Sequence, residues 1–159
     1  MNHFFEEIGN LLIKNNLTLS SAESCTAGGI SSKLCSIAGS SKYFLGAIVA
    51  YSNQSKIRDL GVLSSDIIKY SEVSFQVSKQ MSELVKKKFN TDFAISTTGY
   101  TGPSGMDVGK VFISVSTPKK NIVSEFKFKG NRLEITQQII DKSLRILLDE
   151  INVFIYNDI

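Results

Sequence analysis

Apolar residues recur along the chain at two different spacings, which predict alternating helices and strands. Residues 2–15 and 74–89, and the segment that follows Asn131, repeat their apolar positions with the 3.6-residue period of an amphipathic helix. Short apolar runs at 17–22, 44–51 and 93–97 predict three strands. The run FLGAIVAY at 44–51 is nearly continuous, which is typical of a strand buried on both faces.

Turn and cap residues predict the remaining elements. Small residues at 26–35 predict a helix that stops before Gly39. Asn53 is expected to cap a short helix that runs through Leu60 and ends at Gly61, and Ser64 or Ser65 is expected to cap another. Segments 111–116 and 122–128 flank a short Pro-containing turn and predict an antiparallel hairpin, while Asn131 is expected to cap the last helix.

Helices interleaved with buried strands predict an α/β fold. We expect a three-layer α/β/α sandwich with a mixed, mostly parallel sheet and one antiparallel hairpin. A chain of 159 residues is most simply one domain, here residues 1–159.

Composition and charge exclude several classes of protein. The chain is 42% hydrophobic and 21% charged, as expected of a globular protein, and its net charge of +3 is too small to imply a nucleic-acid partner. It has no apolar run of 18 residues, so we expect no membrane span. The acidic N-terminus argues against a secretory signal, and we expect a cytoplasmic protein. One histidine and two cysteines ten residues apart fit no usual zinc spacing, so no metal site is expected.

Polar stretches follow the predicted strands, at the edge where open α/β sheets bind ligands. They are residues 23–28 after the first strand, 51–53 before Lys56 after the second, and 98–103 after the third. Asn131 and Arg132 open a helix after the last strand. A cation in a first helical turn is destabilising, because it faces the positive end of the helix dipole. A phosphate bound between the two would make the interaction favourable. These stretches predict one anion-binding site.

The candidate nucleophiles are Ser24 and Cys25, which the pattern alone does not separate. His3 is far in sequence from the polar stretches, which disfavours a histidine base. Lys56 can serve instead if burial lowers its pKa from about 10.4 toward neutrality, a change of roughly three units or about 4 kcal/mol. The backbone amides that open the following helix, near Thr26 and Ala27, could hold an oxyanion or a phosphate.

Four motifs, taken together and in order, are similar to those of a known family. The segments are AESCTAG at 22–28, AGSSKYFLGAIVAYSNQSKIRDLGV at 38–62, TTGYTGPSG with VGKVFISV at 97–115, and KGNRLEI at 129–135. They resemble the CinA C-terminal family in a stand-alone form. These proteins are nicotinamide-nucleotide amidohydrolases, also called nicotinamide mononucleotide deamidases.

The resemblance implies hydrolysis of the carboxamide of nicotinamide mononucleotide to nicotinate mononucleotide and ammonia, in pyridine-nucleotide (NAD) salvage, without a cofactor. It implies Ser24 as nucleophile, Lys56 as its base with Tyr51 beside it, Thr98 as a positioning group, and Arg132 on the phosphate. It also implies a homo-oligomer and a small-molecule nucleotide as substrate. We expect six further residues of these motifs to contact the substrate: Thr26, Ala27, Gly28, Asn53, Gly99 and Gly102.

The chain departs from the family pattern at three places. Ala27 stands where the family has glycine, the loop around 103–109 is shorter, and Asn131 replaces an aspartate. These departures keep two alternatives open. One is a nucleotide-binding or scaffold homologue with weak catalysis, and the other is an amidase that acts on a different small amide.

Overall fold

The computed structural model describes residues 3–157, so residue 2 of the first predicted helix and both ends of the predicted 1–159 domain lie outside the described residues. The helices are α1 (Phe4–Lys14), α2 (Gly29–Cys35), α3 (Asn53–Ser55), α4 (Ser64–Tyr70), α5 (Phe75–Phe89) and α6 (Arg132–Tyr156). The strands are β1 (Leu19–Glu23), β2 (Phe44–Val49), β3 (Phe93–Gly99), β4 (Lys110–Ser116) and β5 (Asn121–Lys127). A 3-10 turn spans Ser40–Lys42, and α3 continues into a π-helical segment, Lys56–Leu60.

The five strands form one mixed sheet in the order β2-β1-β3-β4-β5. The pairs β1–β2 and β1–β3 are parallel, whereas β3–β4 and β4–β5 are antiparallel. Four of the five strands therefore run in the same direction, and only β4 is reversed. The predicted α/β fold with a mixed sheet and an antiparallel hairpin is confirmed.

Helices cover both faces of the sheet, because neighbouring residues of each central strand point to opposite faces. Ile95 of β3 packs in an apolar cluster with α1, α2 and α6. Ala94, the preceding residue, packs in a second cluster with α4, α5 and the π-helical segment. This arrangement is the predicted α/β/α layering. None of the helices in residues 3–157 combines the length and the apolar character needed to cross a bilayer.

The strand β2 differs from its prediction because it lies at the edge of the sheet. It ends at Val49 rather than at residue 51, and its one strand neighbour is β1. Leu45 and Val49 are exposed, so the prediction of a strand buried on both faces was wrong. A continuous apolar run fits a central strand and a half-covered edge strand equally well.

Three helix starts also differ from the prediction. The helix α2 begins at Gly29 rather than at residue 26, because Ala27 and Gly28 both adopt positive φ angles, +48° and +91°. The cap of α3 is Ser52, whose hydroxyl accepts from the Ser55 amide, and not Asn53. No serine caps α4, which starts at Ser64 itself. The caps predicted at Gly61 and Asn131 are confirmed.

Candidate functional site

A cavity of about 390 Å³ opens at the edge of the sheet where β1, β2 and β3 end. Each of the polar stretches predicted to share one site contributes residues to its walls. Its walls comprise Ser24, Cys25, Tyr51, Asn53, Lys56, Glu72, Val73, Thr98, Gly99, Tyr100, Thr101, Gly102, Ser104 and Arg132.

Inside this cavity one amine contacts one alcohol. Lys56 Nζ donates a hydrogen bond of 3.0 Å to Ser24 Oγ, and both residues are buried. This distance is short enough for direct proton transfer between the two groups. It is the serine–lysine arrangement found in some nucleophilic enzymes that lack a histidine base.

Burial of Lys56 changes its acidity in the direction that a base requires. The residue is only 2% exposed, at the start of the π-helical segment after β2. Burial lowers the pKa of Lys56 because the apolar surroundings disfavour the ammonium form, while the negative charge of Glu72 partly opposes this shift. The cavity therefore makes the amine beside the hydroxyl easier to deprotonate than a lysine in water.

Backbone hydrogen bonds fix the position of Ser24 directly after β1. Its amide donates to the Thr97 carbonyl on β3, and its own carbonyl accepts from the Ala27 amide. The neighbouring Cys25 is buried, and this burial raises the pKa of its thiol to about 12. A thiol with so high a pKa carries almost no thiolate near neutral pH. The environment therefore favours Ser24 over Cys25, a choice that sequence pattern left open.

Arg132 joins three segments at one wall of the cavity. Its guanidinium donates to the Gly102 carbonyl at 2.6 Å and to the Tyr51 hydroxyl at 2.8 Å. Tyr51 is exposed and makes no other side-chain hydrogen bond within residues 3–157. Tyr51 lines the same cavity as Ser24 and Lys56, and its hydroxyl is hydrogen-bonded to Arg132.

Thr98 is buried near the end of β3, and its hydroxyl donates to the Glu72 carbonyl at 2.7 Å. Thr98 also lines the cavity. Gly99 lies where a Cβ would be only 2.8 Å from the Lys110 carbonyl, so β3 and β4 approach closely there. Asn53 also lines the cavity, from the first residue of α3.

The start of α2 is not open to an external anion. The buried carboxylate of Glu23 accepts from the amides of Ile30 and Ser31, at 2.8 and 3.0 Å, and from the Ser31 hydroxyl. It also accepts from the Thr26 hydroxyl at 2.7 Å. The helix therefore already has an anion at its positive end.

The structure does not place Thr26, Ala27 and Gly28 on the wall of the cavity. The Ala27 amide donates to the Ser24 carbonyl, so it is not available to an oxyanion as expected. The Thr26 amide, by contrast, has no protein acceptor within the described residues. Of the amides suggested for this role, that of Thr26 is free of a protein acceptor but does not belong to the cavity wall.

Comparison with known proteins identifies the family. The model of the CinA C-terminal domain matches residues 1–151. The chain belongs to the CinA C-terminal domain family.

Relatives within the CinA family support this assignment. A CinA-like protein of Flavobacterium psychrophilum is 43% identical over 148 residues, which cover 91% of this chain and 35% of that protein. A putative competence-damage inducible protein of Clostridium botulinum is 39% identical over 146 residues, which cover 89% of this chain and 36% of the relative. The chain thus spans about a third of the length of these curated relatives.

Solved CinA structures share the fold. The competence/damage inducible protein CihA of Agrobacterium tumefaciens superposes with a TM-score of 0.85 at 30% identity, covering 94% of this chain and 96% of its own. The competence damage-inducible protein A of Klebsiella pneumoniae gives 0.90 at 25% identity, covering 93% and 94%.

Three lining residues of this CinA domain were missed from the sequence: Glu72, Val73 and Ser104. Glu72 and Val73 precede α5, which leads into β3. A helix that connects to the start of a strand begins at the opposite, carboxyl-end edge of the sheet. The start of α5 at this edge was therefore predictable from the order of the elements. The sequence of the connection itself has no motif that marks Glu72 and Val73 as lining residues.

Chemistry, rather than size, distinguishes this cavity within the CinA domain. Two other cavities have similar volumes, about 400 and 430 Å³, and are lined by residues around His3 and around Lys86 respectively. His3 pairs with Glu6 on an exposed surface and does not line the cavity that holds Ser24. Within residues 3–157 no group of three or more His, Cys, Asp or Glu side chains is placed to hold a metal.

Proposed function

We propose that this chain hydrolyses the carboxamide of nicotinamide mononucleotide, giving nicotinate mononucleotide and ammonia in pyridine-nucleotide salvage. The observation that carries the proposal is the buried contact of 3.0 Å between Lys56 Nζ and Ser24 Oγ. Membership of the CinA family and the cation at Arg132 support a nucleotide substrate.

The first half of the reaction acylates Ser24. Neutral Lys56 takes the hydroxyl proton while Ser24 Oγ attacks the carboxamide carbon, so the C–O bond forms as the carbonyl oxygen becomes negative. The Cys25 amide, next to Ser24 on the cavity wall, has no protein acceptor within the described residues and is the donor nearest in sequence for that oxyanion. When the C–N bond breaks, the proton on Lys56 passes to the leaving nitrogen and ammonia departs.

The second half returns the enzyme to its starting state. Water loses a proton to Lys56 and attacks the acyl carbon. As the ester bond breaks, Lys56 returns that proton to Ser24 Oγ, and the acid that forms loses its remaining proton to solvent and leaves as the carboxylate. Arg132 holds the phosphate throughout, because a guanidinium matches the geometry of phosphate oxygens. Thr98 Oγ1, which already donates to the Glu72 carbonyl, is left to accept a hydrogen bond from the substrate amide.

The test is ammonia release from nicotinamide mononucleotide by the purified chain. Ser24→Ala and Lys56→Met should each reduce kcat by at least about a thousandfold, since each removes one member of a pair that acts as a unit. Lys56→Arg should keep phosphate binding and remain inactive, because arginine stays charged. Lys87→Met, at an exposed lysine of α5, is the matched control and should retain activity.

The alternatives give different results in the same assay. A nucleotide-binding homologue would bind nicotinamide mononucleotide without releasing ammonia. An amidase for another substrate would release ammonia from other small amides through the same two residues but not from this nucleotide. Full activity in Lys56→Arg would remove the lysine from the mechanism.

A further inference from the structure

Glu72 is a charged group in the cavity to which the mechanism above gives no role. It lies in the turn between α4 and α5, and it is half-buried. Its carbonyl accepts from the Thr98 hydroxyl at 2.7 Å, and one carboxylate oxygen accepts from the Ser71 hydroxyl at 3.2 Å. Both contacts hold the residue against the end of β3, beside the Ser24–Lys56 pair.

The turn that carries Glu72 is strained. Ser71 has φ +80° and ψ 157°, a backbone conformation that residues other than glycine rarely adopt. Local contacts hold it there: the Ser71 hydroxyl lies 3.2 Å from the Tyr100 hydroxyl, and the Ser74 hydroxyl donates to the Ser71 carbonyl at 2.8 Å. Strained backbone persists where its surroundings fix it, and such positions cluster at binding sites.

Opposite charges line opposite walls of the cavity. Glu72 comes from the layer of α4 and α5, and Arg132 from the first turn of α6 in the other layer. The titratable and charged residues on the walls are Cys25, Tyr51, Lys56, Glu72, Tyr100 and Arg132. In the state that the proposed mechanism requires, with Lys56 neutral, Glu72 is the one negative charge and Arg132 the one positive charge among them.

We propose that Glu72 determines the ring charge that the site accepts, selecting nucleotides whose amide-bearing ring is cationic. This assignment rests on the proposed function, since nicotinamide mononucleotide carries an anionic phosphate and a positively charged pyridinium ring. The phosphate is held at Arg132, and the pyridinium lies within the field of Glu72. The same carboxylate repels the new carboxylate of the product and so favours its release.

A structural role for Glu72 is the competing interpretation. An acid just before α5 also interacts favourably with the positive end of that helix. A structural role would lower stability in Glu72→Gln but would leave ligand preference unchanged. The ratio of two ligand affinities therefore separates the interpretations, because a general loss of folding affects both ligands alike.

The experiment compares two ligands that differ in ring charge. Nicotinamide mononucleotide and its reduced dihydropyridine form share the phosphate, ribose and carboxamide, but the reduced ring is neutral. Binding is measured by calorimetry in a Ser24→Ala background, which prevents turnover. We expect the cationic form to bind about tenfold more tightly, as for a partly buried charge pair, and Glu72→Gln to bring the ratio close to one. Glu72→Asp should restore most of the preference.

Two controls make the result interpretable. Glu7→Gln removes an exposed acid of α1 that does not line the cavity, and it should leave the ratio unchanged. The second control is the pH profile of kcat/KM with Ser24 intact. Because Glu72 raises the pKa of Lys56, Glu72→Gln should move the rise in activity to lower pH.

The outcomes distinguish this inference from the proposed function. Wild-type protein that releases ammonia, together with an affinity ratio that Glu72→Gln leaves unchanged, would overturn the role of Glu72 alone. Wild-type protein that neither binds nor hydrolyses nicotinamide mononucleotide would overturn the proposed function and this assignment with it. A ratio that falls in Glu72→Gln and also in Glu7→Gln would likewise overturn it, because the effect would then come from net charge.

Discussion

Replacing Lys56 with methionine should make the protein more stable while abolishing its activity. Lys56 is 2% exposed, and within residues 3–157 its amine has one hydrogen-bond partner, Ser24 Oγ. Burying an incompletely hydrogen-bonded polar group costs about 1–3 kcal/mol, and methionine fills a similar volume without that cost. We therefore expect Lys56→Met to raise the free energy of unfolding by about 1–3 kcal/mol, or the Tm by about 3–10 °C.

The gain should depend on pH with a definite sign. The pKa of Lys56 is lowered in the folded protein by burial, so its ammonium form destabilises folding. This penalty is fully present below the folded-state pKa, shrinks as pH rises above it, and vanishes near the unfolded value of about 10.4. The advantage of Lys56→Met should therefore be largest near neutral pH and decline toward pH 10.

Urea denaturation at several pH values measures this difference. Lys87→Met, at an exposed position, controls for the general titration of lysines and should change stability by no more than about 0.5 kcal/mol. A Lys56→Met protein that is less stable than wild type near neutrality would refute the reasoning. A gain that stays constant up to pH 10 would also contradict it, since it would not come from the charge.

Three other outcomes follow from backbone and thiol environments. Gly109→Ala should lower the free energy of unfolding by about 3 kcal/mol, because a Cβ there would lie 1.9 Å from the Phe128 carbonyl oxygen. Urea denaturation measures this change, and an unchanged free energy would contradict the close approach. Ala27→Gly should be neutral or raise stability by up to about 1 kcal/mol in the same assay, since φ is +48°, and a clear loss would contradict this. Iodoacetamide at pH 8 should modify the exposed Cys35 first, because the thiol of Cys25, with its pKa of about 12, reacts far more slowly. Mass spectrometry of the two cysteine-containing peptides measures the two rates of alkylation.

The sequence predicted most of the fold because local signals and global topology agree in this chain. Apolar periodicity located α1, α5 and α6, and the turn before Asn121 predicted the hairpin of β4 and β5. The position of β2 was beyond that kind of signal. Whether an apolar strand is central or at an edge depends on which strands pair, and Leu45 has the same identity in either place.

The site was predictable only in part. Ser24, Lys56 and Thr98 each lie at or after the end of a strand, and parallel strands end at one edge of the sheet. Their common site was therefore predictable. The choice between Ser24 and Cys25 needed their environments, since burial sets the thiol pKa and burial is a tertiary property. Glu23 was not recognised as the residue that occupies the start of α2, because its hydrogen bonds depend on how Gly28 turns the backbone.

The two hydrogen bonds of Arg132 have a consequence for ligand affinity. The Gly102 carbonyl and the Tyr51 hydroxyl hold the guanidinium in one orientation before any phosphate arrives. Immobilising a long side chain on association costs about 0.5–1.5 kcal/mol. Arg132 is already ordered in the folded protein, so ligand binding does not include this cost. Removing the Tyr51 hydroxyl would return rotational freedom to the arginine, so affinity would fall mainly through entropy, although that oxygen need never touch the ligand.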